Sequence, residues 1–370
     1  MPSRPSLTLL VESLPATVPF VGPETQERTR GRPFRARLGA NENGFGPSPR
    51  VVETMRAAAP EMWKYGDPDS FELRQALSAI LGVPAQNLTV GEGIDGLLGL
   101  VVRQYVQPGD PVVTSLGAYP TFNYHVAGFG GRLVTVPYES DRESLDGLLE
   151  AARREDVRIV YLSNPDNPMG TWWEAGEIER FIAALPETTL LVLDEAYSET
   201  APASALPPLD PSRPNVLRMR TFSKAYGLAG LRCGYAIGEA EVIRAFDKVR
   251  NHFGITRMTQ AAALAATADQ AHLRWVIDSV DACRRRIAGI AEAHGLLPLP
   301  SATNFVTIDC RGDGAFAMRV LQALGERDVF VRKPMAPRLD RCIRVSVAPE
   351  AEIAVFEEEL GAALEAARRG

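Results

Sequence analysis

Short apolar runs alternate with longer amphipathic segments along most of this chain, and this rhythm constrains its fold more than any other feature. The runs are rich in β-branched residues and end in Gly, Asn, Asp or Ser, which predicts strands that close in turns. The predicted strands are residues 88–90, 111–115, 132–136, 158–162, 189–193, 216–219 and 233–237. Strands that alternate with helices indicate an α/β fold, with a mainly parallel sheet flanked by helices in three α/β/α layers.

Helical periodicity fills several segments between these strands. In residues 70–81 the apolar side chains fall on one helical face, and Ser70 is available as the N-cap. Residues 174–185 and 269–294 show a similar pattern. These segments are expected to be helices that pack against a sheet.

A change of rhythm near residue 269 predicts a second, smaller α+β domain. A long helical stretch rich in Ala and Arg comes first, and short strands separated by a helix follow it. The predicted strands of this domain are residues 305–309, 329–332 and 343–347. We expect three parts in the chain: an N-terminal arm with part of the small domain at 1–45, a large ligand-binding domain at 46–268 and the small C-terminal domain at 269–370.

Composition argues against several classes of function. The 370-residue chain is 45% hydrophobic and 23% charged, with a formal net charge of -6, so neither nucleic acid nor an anionic membrane has an electrostatic reason to bind it. No stretch approaches the ~20 apolar residues of a membrane span. The N-terminal segment lacks the apolar core of a secretory signal, so we expect a cytoplasmic protein. The 4 cysteines and 4 histidines lack zinc-site spacing, and no metal is expected.

One lysine stands at the centre of the most informative segment. Residues 221–234 read Thr-Phe-Ser-Lys-Ala-Tyr-Gly-Leu-Ala-Gly-Leu-Arg-Cys-Gly and place Lys224 in a turn of small residues after a predicted strand. Small residues let a flat ligand approach the backbone, while the hydroxyl of Ser223 and the guanidinium of Arg232 suit a phosphate. A lysine beside a phosphate site suggests pyridoxal phosphate, whose aldehyde condenses with a lysine amine that later serves as general acid and base. The alternative is a solvated surface lysine.

Asp194 directly follows the apolar run 189–193. A carboxylate at the end of a buried strand is costly unless it is paired, and a protonated pyridine nitrogen of the cofactor would be its partner. That proton makes the ring an electron sink for the carbanion formed when an amino acid loses the proton on Cα. Tyr197, later in the same loop, could reach the phenolic oxygen of the ring. The alternative role of Asp194 is a helix N-cap.

Three further loops follow predicted strands, where ligands bind in parallel α/β sheets. Asn167, in Ser-Asn-Pro-Asp-Asn-Pro-Met-Gly, could donate to the phenolic oxygen, or the segment could only form a turn. Gly93, in Val-Gly-Glu-Gly-Ile-Asp-Gly, opens a helix whose Ile94 and Asp95 amides could face a phosphate, although a tight turn is the alternative. Tyr119, in Gly-Ala-Tyr-Pro, could stack on a planar ring or be a core aromatic.

Together these motifs resemble the fold-type I pyridoxal phosphate enzymes, and within them the class II aminotransferases, the group that includes histidinol-phosphate aminotransferase. Residues 221–230 fit the lysine pattern of that group, and the similarity extends from Leu-Gly-Ala-Asn-Glu-Asn-Gly at 38–44 to Ile-Arg-Val-Ser-Val at 343–347. The resemblance implies that Lys224 is the Schiff-base lysine. It implies that Asp194 contacts the pyridine nitrogen, Tyr197 and Asn167 the phenolic oxygen, Tyr119 the ring face, and Ser223, Arg232, Gly93, Ile94 and Asp95 the phosphate.

The resemblance also implies contacts with the substrate and with a second subunit. Tyr65, in Trp-Lys-Tyr-Gly-Asp-Pro, matches a tyrosine whose hydroxyl reaches the phosphate bound by the other subunit, which implies a homodimer with shared active sites. Arg344 matches the arginine that takes the acidic group of the substrate, with a surface arginine on an edge strand as the alternative. Arg332 is placed as a second anion-binding residue, and Asn43 as a further substrate contact.

The function that the resemblance implies is amino transfer in two stages, a ping-pong mechanism that uses the amine of Lys224. Glutamate is the expected donor, and the oxo substrate is imidazole-acetol phosphate, the partner of histidinol phosphate, or an aromatic 2-oxo acid. The chain departs from the group at Met169, where threonine is common, and at Lys333 beside Arg332, and the sequence does not choose between these substrates. A pyridoxal phosphate lyase, of the phosphothreonine decarboxylase or β-elimination type, is the alternative. A cofactor-binding regulator is disfavoured, because the sequence has no basic DNA-binding segment.

Overall fold

The computed structural model describes residues 4–16, 20–154 and 156–369. The helices in this part of the chain are α1 Leu9–Ser13, α2 Pro23–Arg30, α3 Pro49–Ala58, α4 Phe71–Leu81, α5 Gly93–Tyr105, α6 Pro120–Gly128, α7 Leu145–Arg154, α8 Ala175–Ala184, α9 Ala240–Ala245, α10 Arg257–Ala268, α11 Gln270–Ala293, α12 Gly314–Glu326 and α13 Glu350–Arg369. The strands are β1 Ala36–Arg37, β2 Leu88–Gly91, β3 Pro111–Ser115, β4 Arg132–Val136, β5 Ile159–Ser163, β6 Leu190–Asp194, β7 Val216–Thr221, β8 Gly234–Ile237, β9 Leu297–Pro298, β10 Phe305–Asp309, β11 Val329–Phe330 and β12 Cys342–Ser346. Among the described helices, none is both long and apolar enough to cross a membrane.

A seven-stranded sheet forms the largest layer, in the order β2-β8-β7-β6-β5-β3-β4. Strands β3 to β7 are parallel to one another, whereas β8 runs antiparallel to both of its neighbours, β2 and β7. Every residue of β5 and β6 is buried, so both faces of the sheet need a covering layer. Helix α5 packs on one face, and α7 and α8 pack on the other. The predicted mainly parallel sheet between two helical layers is confirmed.

Strands β5 and β6 are among those that continue beyond the apolar runs that predicted them. Strand β5 ends at Ser163 and β6 ends at Asp194, and these two residues pair in the parallel ladder. Both are buried despite their polar side chains. The apolar pattern therefore stops too early, because backbone pairing rather than side-chain hydrophobicity carries the strands to their ends.

Helix α4 begins directly after Ser70, but the predicted capping role of Ser70 is wrong. Ser70 has a φ of 45°, and its side chain makes no capping hydrogen bond. The carboxylate of Asp67 instead accepts from the backbone N–H of Phe71 at 2.8 Å and from that of Asp69 at 3.1 Å. An upstream aspartate thus satisfies the N-terminus of this helix.

Two smaller sheets lie among the remaining strands. One is antiparallel, in the order β12-β10-β9, and the other is the parallel pair β1 and β11. Their core includes residues of α11, α12 and α13 together with Ala36 and Leu38 from the N-terminal segment. The domain boundaries at residues 45 and 268 stay a prediction, and the predicted arm lies partly outside the described residues.

Candidate active site

A cleft of about 240 Å³ lies at the carboxyl ends of β5, β6 and β7, beside the N-terminus of α5. Carboxyl ends of parallel strands meet at one edge of a sheet, so loops far apart in sequence converge there. The predicted site residues that line the cleft are Ile94, Asp95, Tyr119, Asn167, Asp194, Tyr197, Ser223, Lys224 and Arg232. The structure therefore brings most of the predicted constellation together, although the chemical role of each residue stays a prediction.

Lys224 projects from the turn after β7. Its Nζ donates to the backbone carbonyl of Asn41 at 3.0 Å and lies 5.6 Å from the centroid of the Tyr197 ring. Burial, followed by the positive charge of Arg344, lowers the pKa of Lys224 to about 8. A lysine with this pKa has a substantial neutral fraction near neutral pH, and the neutral amine is the nucleophile.

Asp194 occupies the end of β6 and is 5% exposed. Its Oδ2 accepts from the phenol of Tyr161 at 2.7 Å, and its Oδ1 accepts from the N–H of Ala196 at 2.9 Å. Burial raises the pKa of Asp194 to about 6, while these two hydrogen bonds oppose that rise. Two donors therefore hold a carboxylate at the floor of the cleft, where a cationic group would compensate its desolvation.

The N-terminal turn of α5 forms a concave surface with Arg232. Gly93 has a φ of 74°, and a Cβ built on it would lie 2.6 Å from Nη2 of Arg232, so the backbone approaches the guanidinium closely. The Asp95 carboxylate accepts from the Tyr119 phenol at 2.7 Å and lies 3.6 Å from Nη2 of Arg232. Ser223 adds a hydroxyl to the same cleft. Amides at a helix N-terminus, a guanidinium and a hydroxyl are a donor set that fits a phosphate group.

Arg344 lies in strand β12, and its side chain contacts that of Asn167. Its Nη1 donates to Oδ1 of Asn167 at 2.5 Å, and its Nη2 donates to the carbonyl of Gly39 at 3.1 Å. Within the described residues, the buried Nε of Arg344 has no hydrogen-bond partner. Burial lowers the pKa of Arg344 to about 10, so its charge persists at neutral pH. A buried cation with spare donor capacity suits an acidic substrate group.

Besides Gly93 and Arg344, which border the cleft through Arg232 and Asn167, three more predicted residues lie outside the cleft lining. The Nδ2 of Asn43 donates to the carbonyl of Ala225 at 3.1 Å, which engages its amide with backbone. Arg332 donates through Nη2 to the carbonyl of Val21 at 2.7 Å. Tyr65 is 76% exposed in the single chain. Their roles as substrate or subunit contacts stay predictions.

The site also includes two residues that the sequence reasoning did not single out. Asn41 bonds Lys224 through its backbone carbonyl, and its Nδ2 donates to the phenolic oxygen of Tyr197 at 3.2 Å. Tyr161 supports Asp194 from the neighbouring strand. In the sequence, Tyr161 is marked only by a phenol inside an otherwise apolar strand. Asn41 is marked only by the Asn-Glu-Asn segment, in which Asn43 is the predicted substrate contact.

A mainly parallel sheet that carries a lysine and an aspartate at the ends of adjacent strands, beside an anion cradle, defines a cofactor-dependent enzyme. The chain belongs to the family "Aminotransferase class I and II", whose family model matches residues 36–360. The predicted family and enzyme class are therefore confirmed.

Several known proteins are similar to this chain along nearly its whole length. The crystal structure of histidinol-phosphate aminotransferase from Sinorhizobium meliloti, in complex with pyridoxal-5'-phosphate, is 54% identical with a TM-score of 0.96, covering 98% of this chain and 99% of that one. Histidinol-phosphate aminotransferase 1 of Mesorhizobium japonicum is 37% identical over 336 residues, 89% of this chain and 90% of that protein. The corresponding protein of Nitrosococcus oceani is 35% identical over 345 residues, 92% of each chain.

Proposed function

We propose that this chain is a pyridoxal phosphate-dependent aminotransferase that exchanges an amino group between glutamate and the oxo partner of histidinol phosphate. The observation that carries the proposal is one cleft in which a lysine amine of lowered pKa and a buried carboxylate face the same space beside an anion cradle. The 54% identical Sinorhizobium protein, which is a histidinol-phosphate aminotransferase with bound pyridoxal phosphate, supports both the cofactor and the substrate.

Different residues of the cleft would contact different groups of the cofactor. Arg232, Ser223 and the first turn of α5 would hold the phosphate, because their donors converge there. Asp194 would hold the proton on the pyridine nitrogen, and Asn167 and Tyr197 would face the phenolic oxygen. When bound, the cofactor supplies a ring that stabilises negative charge at the Cα of the substrate.

Lys224 moves the proton in this scheme. Its Nζ, released from the carbonyl of Asn41, would accept the proton from the substrate Cα as a general base and then donate it as a general acid. The lowered pKa suits this exchange, because a group titrating near the working pH both accepts and donates protons readily. Arg344 holds the acidic group of the substrate through its planar guanidinium.

One half-reaction tests the assignment. The protein loaded with pyridoxal phosphate is mixed with histidinol phosphate, glutamate, phenylalanine, tyrosine or phosphothreonine, and the cofactor absorbance and carbon dioxide release are followed. We expect conversion to the amine form with histidinol phosphate and with glutamate. Conversion by aromatic amino acids alone would move the assignment to aromatic transamination, and carbon dioxide release from phosphothreonine would establish the lyase alternative.

A homodimer with shared active sites is part of the proposal. Tyr65 packs on Phe253 with ring centroids 4.7 Å apart, and both rings are largely exposed, as is Trp63 at 79%. Exposed aromatic groups of this size suit burial against a second copy. Hybrid dimers provide the test: one subunit carries Tyr65→Phe and the other carries Lys224→Ala. The intact lysine and the intact Tyr65 then serve the same site, so the hybrid should exceed the activity of either parent.

A cytoplasmic location belongs to the same proposal. Cys233, Cys283, Cys310 and Cys342 are free and buried, as suits a reducing compartment. Fractionation of cells that express the tagged full chain tests this, with activity expected in the soluble cytoplasmic fraction.

A further inference from the structure

Tyr161 is part of the cleft lining and contacts Asp194. Its side chain is completely buried, and its phenol donates to Oδ2 of Asp194 at 2.7 Å. The ring stacks on Phe122, with centroids 4.6 Å apart and planes 15° from parallel. Because packing fixes the ring, the direction in which the hydroxyl points is set before any ligand binds.

The register of the sheet produces this contact. Tyr161 and Ser163 are two residues apart on β5 and therefore face the same side, and Ser163 pairs directly with Asp194 on β6. The hydroxyl of Ser163 donates to the phenolic oxygen of Tyr161 at 3.4 Å. A phenol has one proton, so with its oxygen accepting from Ser163 that proton is directed to Asp194.

The surroundings of Asp194 make this donor important. Burial raises the pKa of Asp194, and the hydrogen bond from Tyr161 is the largest effect that opposes the rise. The N–H of Ala196 and the positive charge of Lys224 also lower the pKa of Asp194, whereas the negative charge of Asp95 raises it. The hydrogen bond from Tyr161 therefore favours the ionised form of this buried carboxylate.

We propose that Tyr161 is a positioning residue that keeps Asp194 ionised and thereby keeps the proton on the pyridine nitrogen of the bound cofactor. The inference rests on the proposed function, because it requires pyridoxal phosphate in the cleft. Without the phenol, the carboxylate of Asp194 becomes more basic and competes for the proton that it shares with the ring nitrogen. The ring then loses part of its capacity to accept negative charge.

The location of that proton is measured directly by nitrogen-15 NMR of the protein loaded with pyridoxal phosphate labelled at the ring nitrogen. The variant Tyr161→Phe keeps the stack on Phe122 and removes only the hydroxyl. The control is Tyr138→Phe, because Tyr138 is also buried and its phenol donates to a different carboxylate, Oδ1 of Asp166, at 2.8 Å. We expect the ring-nitrogen resonance to shift toward the unprotonated pyridine value in Tyr161→Phe and to stay at the wild-type value in the control.

A second readout is the half-reaction with glutamate, which should slow by roughly 10- to 100-fold in Tyr161→Phe, as for the loss of a hydrogen bond to a charged group. If Tyr161→Phe fails to fold, 3-fluorotyrosine at position 161 replaces it. That side chain is a stronger donor and should move the nitrogen resonance the opposite way, toward the protonated value.

The outcomes separate this inference from the proposed function. A bound cofactor whose nitrogen resonance is unchanged by the substitution at position 161 overturns the role of Tyr161 alone, even if the melting temperature falls. A wild-type protein that binds no pyridoxal phosphate overturns the proposed function, and this inference with it.

Discussion

Asp141 and Arg341 link the loop that carries Asn167 to the strand that carries Arg344. Both carboxylate oxygens of Asp141 accept from Nη2 of Arg341, at 3.0 and 2.8 Å. Arg341 directly precedes β12, the strand that carries Arg344, and the carbonyl of Asp141 accepts from the hydroxyl of Thr171, at the end of the loop that carries Asn167. One aspartate thus anchors both elements whose side chains meet at 2.5 Å between Arg344 and Asn167.

We predict that Asp141→Asn weakens the binding of anionic substrate without changing the chemical step. Asn tolerates the left-handed conformation of this position, where φ is 63°, so the turn should survive. The lost ion pair is partly exposed and contributes up to about 1 kcal/mol, so KM should rise by up to about fivefold while kcat stays within about twofold. Steady-state kinetics measures both. Glu241→Gln, which removes an exposed pair with Arg244 on α9, is the control, and an equal rise of KM there would contradict the prediction.

Removal of the Lys224 amine should abolish turnover but leave the cleft intact. Lys224→Ala removes both the nucleophile and the proton carrier, so single-turnover rates should fall by roughly 1,000-fold or more. Rapid-mixing absorbance of the variant loaded with cofactor measures this rate. Lys248→Ala removes an exposed lysine at the end of a short 3-10 helix and should match the wild type. Full turnover by Lys224→Ala would remove the basis of the proposed mechanism.

The apoprotein should react with pyridoxal phosphate faster as pH rises, with a midpoint near the lowered pKa of Lys224, about 8. The rate should rise with pH because only the neutral amine of Lys224 attacks an aldehyde. The positive charge of Arg344 is one cause of the lowered pKa, so Arg344→Gln should move the midpoint to higher pH. Stopped-flow rates across the pH range give both midpoints. A midpoint that moves to lower pH in Arg344→Gln would contradict the assigned electrostatics.

Gly93→Ala should weaken cofactor binding more than it weakens the fold. The new Cβ would lie 2.6 Å from Nη2 of Arg232, and the positive φ of 74° adds about 1 kcal/mol of backbone strain. We expect the dissociation constant for pyridoxal phosphate to rise by at least about tenfold, because the cradle must shift away from the phosphate. Fluorescence titration of the apoprotein measures it. The matched control is Gly289→Ala in α11, where a Cβ would meet nothing within 4 Å.

The layered fold could be predicted because apolar runs and amphipathic segments alternate repeatedly along the chain. Most strands of the large sheet are mainly apolar runs, and the runs 111–115 and 132–136 match β3 and β4 residue for residue. The ends of the strands were harder to predict from the sequence. Polar residues close β5 and β6 and stay inside the ladder, and hydrophobicity gives no sign that pairing continues through them.

The candidate site was predictable where a single residue type carries the chemistry, as at Lys224 and Asp194. It was less predictable where the contact depends on backbone geometry. Asn41 reaches Lys224 through its carbonyl group, and every residue has a carbonyl group, so no side-chain motif marks it. The contact between Tyr161 and Asp194 depends on strand register, because the pairing of β5 with β6 brings the two residues together and the nearby sequence does not.

The proposed phosphate cradle of Gly93, Ser223 and Arg232 depends on the direction in which β8 runs. Gly234 opens this strand and pairs with Gly91 on one side and Thr221 on the other, so the chain enters β8 at the edge where β2 and β7 finish. Arg232 therefore arrives beside Gly93, although Gly93 follows β2 whereas Arg232 and Ser223 belong to the connection between β7 and β8. In a strand of opposite polarity, the same arginine would sit at the far edge of the sheet, about 10 Å or more away. The proposed phosphate site thus depends on chain topology as well as on residue type, and a rearranged sheet that kept every side chain would not form it.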